Sequence, residues 1–130
     1  MHAITRFVCA STLALAAAAV GAVGLGNIQV SSALNEPLAA SIPVIGVTPE
    51  ELVNMSVRLA EPKTFEDAGI ARPYVLTKLR FEVKDDGNGK GHIAVTSRER
   101  IKEPSLEFII DVEWGKGRLR RTYVVLMEPR

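Results

Sequence analysis

The stretch Glu103–Pro129, EPSLEFIIDVEWGKGRLRRTYVVLMEP, constrains the fold more than any other part of the chain. Leu106, Phe108, Ile110, Val112 and Trp114 alternate with Glu107, Ile109, Asp111 and Glu113. That period of two belongs to a strand with one buried face and one wet face. Gly115-Lys116-Gly117 then turns the chain into a second strand. A two-residue loop at Gly115-Lys116 sets Trp114 opposite Gly117, Val112 opposite Leu119, Phe108 opposite Tyr123 and Leu106 opposite Val125. On the other face it sets Glu113 opposite Arg118 and Asp111 opposite Arg120, pairs of opposite charge that favour this register. The other parity would place Val112 against Arg120 and spoil both faces. Glycine at the first loop position suits a type II′ turn. Arg121 breaks the pattern: it falls on the apolar face, which marks a bulge or the rim of the sheet.

Upstream, the same logic gives short strands separated by turn residues. Ile28, Val30, Ser32 and Leu34 share one parity and predict a first strand over Asn27–Leu34, broken by Asn35-Glu36-Pro37. Leu38, Ala40, Ile42 and Val44 predict the next. Pro43 cannot donate a ladder hydrogen bond, so this segment belongs at a sheet edge or a bulge. Thr48-Pro49-Glu50-Glu51 is a helix start, with Thr48 as cap, Pro49 in the first turn and Glu51 completing a capping box. Met55–Leu59 already alternates like a strand, so that helix is short. A second short helix spans Pro62–Ala68, with Gly69 as its left-handed stop and Ile70 folding back on it. Leu79, Phe81 and Val83 form the buried side of a further strand. Asp85–Gly91 reads as a polar hairpin loop, and Ile93 and Val95 begin a return strand ending near Ser97. Arg98, Arg100 and Lys102, interleaved with Glu99 and Glu103, read as a solvated linker. About seven strands and two one-turn helices define an all-β class: a two-sheet antiparallel, immunoglobulin-like sandwich with two short helical insertions.

The N-terminus is of another character. After His2 and Arg6 comes an Ala-rich apolar run from Phe7 to Val23, with small residues at Ala22 and Gly24. This predicts a cleaved export signal over 1–24, ahead of one domain over 25–130. A cut after Gly21 is nearly as good, and a retained membrane helix is the competing reading. All 15 acidic residues and 15 of the 16 basic ones lie beyond residue 24, so the domain carries balanced charge. That balance gives no support to nucleic-acid or polybasic membrane binding. The single cysteine, Cys9, lies before the apolar run rather than after it, so it does not read as a lipid attachment point.

No catalytic, metal or cofactor constellation is found. His92 is the only histidine beyond the signal, and no cysteine accompanies it. The loops Gly87–Gly91 and Gly115–Gly117 contain lysine, but each leads into a strand and each lysine is followed by glycine. A phosphate loop leads into a helix with Ser or Thr after the lysine. Asp85 and Asp86 do not begin a calcium loop, because Thr96 or Ser97 stands at the twelfth position. Trp114 points inward, as a core aromatic would. Arg118, Arg120 and Arg121 form the densest basic cluster and are the candidate partner-binding residues. This absence of chemistry favours a binding or scaffold module.

A family resemblance then covers residues 25–129. Leu25-Gly26-Asn27-Ile28-Gln29-Val30-Ser31-Ser32-Ala33-Leu34-Asn35-Glu36-Pro37-Leu38 resembles the opening of the FimV/TspA-type pilus-assembly proteins. Thr48–Leu52, Arg58–Ala60, Phe65 with Ala68–Ile70, Leu79–Phe81, Val95–Arg98, Glu103–Phe108 and Gly117–Tyr123 match in order. The resemblance implies an exported, periplasmic N-terminal domain and offers no catalytic motif to carry over, so a non-enzymatic interaction domain is expected. In such proteins it precedes a LysM module, a membrane span and a cytoplasmic repeat region. They organise the cell pole for type IV pilus assembly and twitching motility. The implied partners are envelope or pilus-assembly proteins, with the cell wall reached indirectly, no nucleic acid, and membrane contact only through an uncleaved N-terminus. Residues 25–130 contain no LysM module, so they are expected to be a fragment of such a protein or a free-standing version. A small peptidoglycan- or carbohydrate-binding module is the alternative, and the low aromatic content of 5% argues against it.

Overall fold

Two antiparallel sheets pack face to face in the computed structural model, which describes residues 23–130. The elements run β1 Gly24–Leu25, β2 Gln29–Val30, β3 Pro37–Ile45, α1 Pro49–Val53, β4 Ser56–Leu59 and α2 Pro62–Ala68. They continue with a 3₁₀ turn at Tyr74–Lys78, then β5 Leu79–Gly87, β6 Lys90–Arg100, β7 Ser105–Trp114 and β8 Gly117–Leu126. One sheet has the order β1-β3-β6-β5 with β2 also on β3; the other has the order β4-β7-β8. Most of the signal expected over 1–24, Cys9 included, lies outside the described residues.

The core is the meeting of the two inner faces. Leu38, Ile42, Val44, Ile93 and Val95 of the larger sheet face Leu106, Phe108, Ile110 and Val112 of the smaller, all buried. Phe108 bridges the layers, with its ring 6.0 Å from Phe81 in the other sheet and 6.2 Å from Tyr123 on the adjacent strand. Tilted pairs at this spacing add to the stabilisation from buried apolar area.

The β7–β8 register is the expected one at every pair from Trp114–Gly117 to Leu106–Val125. The turn chemistry differs. Neither Gly115 nor Lys116 has a positive φ, so the loop is not of type II′. Gly117 matters for space instead: a Cβ there would lie 3.3 Å from the Trp114 indole, which covers it. The other hairpin is tighter than the sequence suggested. The strands extend to Gly87 and Lys90, leaving Asn88-Gly89 as a two-residue loop with φ of 57° and 73°. Two successive positive φ values define a type I′ turn, whose twist matches that of paired strands.

Pro43 sits inside its sheet, with β6 on one side and the N-terminal strands on the other, rather than at an edge or bulge. Its carbonyl accepts from the Gly26 N–H at 2.9 Å, so its missing donor faces the N-terminal segment. That segment cannot continue its ladder there: the single strand expected over Asn27–Leu34 is reduced to the two-residue β2, and β1 forms separately ahead of it.

Both capping motifs form as expected. Thr48 Oγ1 accepts from Glu51 N–H at 3.2 Å while Glu51 Oε1 accepts from Thr48 N–H at 2.9 Å. Gly69 takes φ of 72°, and Ile70 N–H reaches the Phe65 carbonyl at 3.0 Å. The 3₁₀ turn at Tyr74–Lys78 was not expected; it buries Leu76 completely. The segment beginning at Arg98 is not a free linker. Its charged residues are exposed, but β6 continues to Arg100, and Ile101 is buried and exchanges backbone hydrogen bonds with Asn35 and Glu36.

A carboxylate clasp joins the first loop to Arg130. Glu36 accepts from Arg130 Nε and Nη2 at 2.8 and 3.0 Å and from Ala33 N–H at 2.9 Å. The Arg130 guanidinium first, and the Ala33 N–H second, lower its pKa to about 2. A depressed carboxylate stabilises the fold above the ordinary range near 4.5, and that contribution is lost as pH falls towards 2. An NMR titration of Glu36 should show this midpoint, and Arg130→Gln should move it up towards 4.5. No movement would show that the arginine does not hold it.

Candidate functional site

The outer face of the smaller sheet gathers six charged residues, Arg58, Glu61, Asp111, Glu113, Arg118 and Arg120, into one groove of about 540 Å³. Strand pairing explains the gathering. Arg58 pairs with Asp111, which pairs with Arg120, so three strands place alternating charges in one row. Glu61 is added because α2 begins directly after β4. Ile109 shares the outer parity but is buried: the chain leaving β4 folds onto β7 here, with Ala60 N–H bonded to the Ile109 carbonyl at 2.9 Å.

Arg118, Arg120 and Arg121 differ in what they do. Arg120 Nε donates to Asp111 Oδ1 at 2.7 Å, the expected cross-strand pair, and the Asp111 carboxylate raises the pKa of this exposed arginine. Glu113 lies opposite Arg118 but makes its salt bridge with Arg58, at 3.7 Å. The sequence could not indicate this competition, because it depends on β4 docking beside β7. Arg118 therefore has no ion-pair partner among the described residues and stands exposed.

Arg121 lies at the rim, and no bulge interrupts β8. Its Nη1 donates to the Leu25 carbonyl at 3.0 Å, and its guanidinium lies 5.1 Å from the centre of the Tyr123 ring. Tyr123 in turn donates to the Gly26 carbonyl at 2.9 Å, and burial raises its pKa against the opposing charge of Arg121. The two side chains fasten β8 to the first strand across the open side of the sandwich. Arg121 is spent on this fastening, while Arg118 and Arg120 face outward.

The remaining residues considered from sequence have structural occupations. His92 Nδ1 lies 2.8 Å from Asp86 Oδ2, and Asp85 Oδ1 accepts from Gly87 N–H at 2.8 Å, so both acids serve the hairpin. Among the described residues, no group of three or more His, Cys, Asp or Glu side chains is placed to hold a metal ion. Trp114 is half-buried against the core, as expected. Sequence reasoning missed the exposed apolar residues Val124 and Leu126, 54% and 69% accessible, on the outer face of β8. Their alternation with the buried Val125 was the available signal.

A two-layer antiparallel sandwich with one charged outer face places the molecule among the immunoglobulin-like sandwich domains. Comparison gives the family: the FimV N-terminal domain, described as an Ig-like domain, matches residues 23–130. The chain belongs to this family. It is 39% identical, over 129 residues and 99% of its length, to the motility hub protein FimV of Pseudomonas aeruginosa strain PAO1 and to that of strain UCBPP-PA14. It spans 14% of the length of those relatives. No solved structure matches it. Among the described residues, no helix is long and apolar enough to cross a membrane.

Proposed function

We propose that this domain is a non-enzymatic, periplasmic protein-interaction module that serves type IV pilus assembly, twitching motility and cell-pole organisation. Its relatives are motility hub proteins, and a hub works by holding other proteins. The observation that carries the reading is the outer face of β7 and β8, where Arg118 and Arg120 stand exposed and Arg118 lacks an internal counter-charge. Its partners are envelope or pilus-assembly proteins carrying acidic surface.

Charge reversal tests this. Arg118→Glu with Arg120→Glu should leave the fold intact and lower partner recovery from envelope extracts at least about tenfold, the scale of losing a charged hot spot. Unchanged recovery would remove this face from the account. Purified peptidoglycan provides the contrast: the domain is expected to stay in the supernatant on sedimentation. Retention in the pellet would replace the interaction reading with a cell-wall-binding one.

Residues 1–24 act in this proposal as the export leader, giving a mature domain over 25–130. Leu25 is buried and paired with Val44, and a cut just before it keeps this contact while removing Gly24 and the partly buried Val23. Intact-mass measurement of the exported protein should give Leu25 as the first residue. A mass that includes residues 1–24 would show a retained anchor.

A further inference from the structure

The free edge of β8 carries a more specific inference, which rests on the interaction reading above. Met127 N–H donates to the Pro104 carbonyl at 2.8 Å, so 127 and 104 are a hydrogen-bonded pair. In an antiparallel ladder such pairs alternate with non-bonded ones. The observed register therefore directs the backbone groups of Tyr123 and Val125 towards β7. It directs those of Arg118, Arg120, Thr122, Val124 and Leu126 outward. The same five residues carry their side chains on the outer face and are all exposed. Among the described residues no strand pairs with this edge as far as Leu126; just beyond it, Leu34 N–H donates to the Glu128 carbonyl at 3.0 Å.

Exposed edges invite pairing, and folded proteins blunt them with charges, proline or bulges. Here the protection is one-sided. Arg118 and Arg120 guard the first half, but Thr122–Leu126 contains no charge and no proline, and no register shift interrupts it. The edge thus presents, in order, two cations, a hydroxyl and two exposed apolar side chains. Beside Leu126 a cleft of about 240 Å³, lined also by Val30, Ser31 and Ser32, leaves room for another side chain.

The geometry points to strand addition: β8 receives an extended segment of a partner protein, antiparallel, as a fourth strand of the β4-β7-β8 sheet. Its alternate residues run apolar, apolar, polar, acidic, acidic, so that the apolar pair meets Leu126 and Val124 and the acids meet Arg120 and Arg118. Charge order favours this occupant over a second copy of the chain paired about Thr122. Two β8 strands paired about Thr122 would set Arg118 against Leu126 and Arg120 against Val124, matching neither charge nor apolar surface. Backbone hydrogen bonds supply attachment in such additions, and alternate side chains supply selectivity.

The probe is a synthetic ten-residue peptide with Leu, Val, Thr, Asp and Glu at the positions opposite Leu126, Val124, Thr122, Arg120 and Arg118, and Ser or Thr between them. Binding should slow hydrogen exchange at the Thr122, Val124 and Leu126 amides. Val124→Pro removes an outward N–H and no ladder bond, a substitution edges tolerate; it should weaken binding at least about tenfold. Should that variant misfold, charge exchange gives the same decision. Arg118→Glu with Arg120→Glu should lose the acidic peptide and gain one carrying lysine in place of the acids. Binding indifferent to both changes, protection appearing on β5 instead, or a peptide-free dimer abolished by Val124→Pro would overturn the inference. If envelope proteins are still captured undiminished by Val124→Pro, strand addition fails while the interaction reading stands. If the peptide binds as described but no envelope protein is captured, it is the broader reading that fails.

Discussion

Replacing Phe108 with alanine should destabilise the domain by about 3–5 kcal/mol, the usual cost of emptying a buried aromatic site. Phe108 has no solvent exposure and is the ring shared by the Phe81 contact across the sheets and the Tyr123 contact within one. Its removal leaves both neighbours facing a void, in a core closed by rigid strands that cannot collapse to fill it. Phe108→Leu, which keeps much of the volume, should cost less than half as much. Chemical denaturation of the two variants checks the claim. Equal, small losses would mean that the layers are held elsewhere than at this bridge.

The second large effect is expected at Ser97, the one polar side chain outside the hydrophobic set that is buried among the described residues. Between the pairs Pro37–Arg100 and Ala39–Thr96, three residues of β6 stand against Leu38 alone, so the ladder is broken. Ser97 Oγ repairs it, accepting from Leu38 N–H at 2.8 Å and donating to the Glu99 carbonyl at 2.7 Å. Ser97→Ala leaves a buried donor without a partner, at a cost of about 1–3 kcal/mol. The Leu38 amide should also exchange much faster than its neighbours. A neutral substitution with an unchanged Leu38 amide would show that another acceptor takes over.

What the sequence made legible was local and periodic. The β7–β8 register could be read because alternation and opposite charges favoured the same parity, and the Asp111–Arg120 pair formed as that parity required. The capping box at Thr48 and the left-handed Gly69 were equally readable, since each depends on residues within one turn. What depended on distant neighbours was not. Glu113 took Arg58 rather than Arg118 because β4 docks beside β7. Ile109 was buried by the chain that follows β4, although its parity is the wet one. Pro43 shortened the strand beside it instead of marking its own strand as an edge.

The candidate site shows the same division. The basic cluster was visible as composition, but its three arginines could not be sorted until the Leu25 carbonyl and Asp111 carboxylate were in place. Arg121, the residue most out of place in the alternation, is the one consumed by the fold. The free edge was hidden for a related reason: which backbone groups of β8 face outward follows from the ladder, not from β8 alone.

Site-specific photo-crosslinking in cells tests the central claim most directly. A photoreactive residue is placed at Arg118 or Leu126 on β8, and, for comparison, at the exposed Ile45 of the other sheet. Recognition through the β8 edge requires discrete protein adducts from the two β8 positions, suppressed by Val124→Pro, and none of comparable yield from Ile45. Adducts from Ile45 with none from β8 would contradict it.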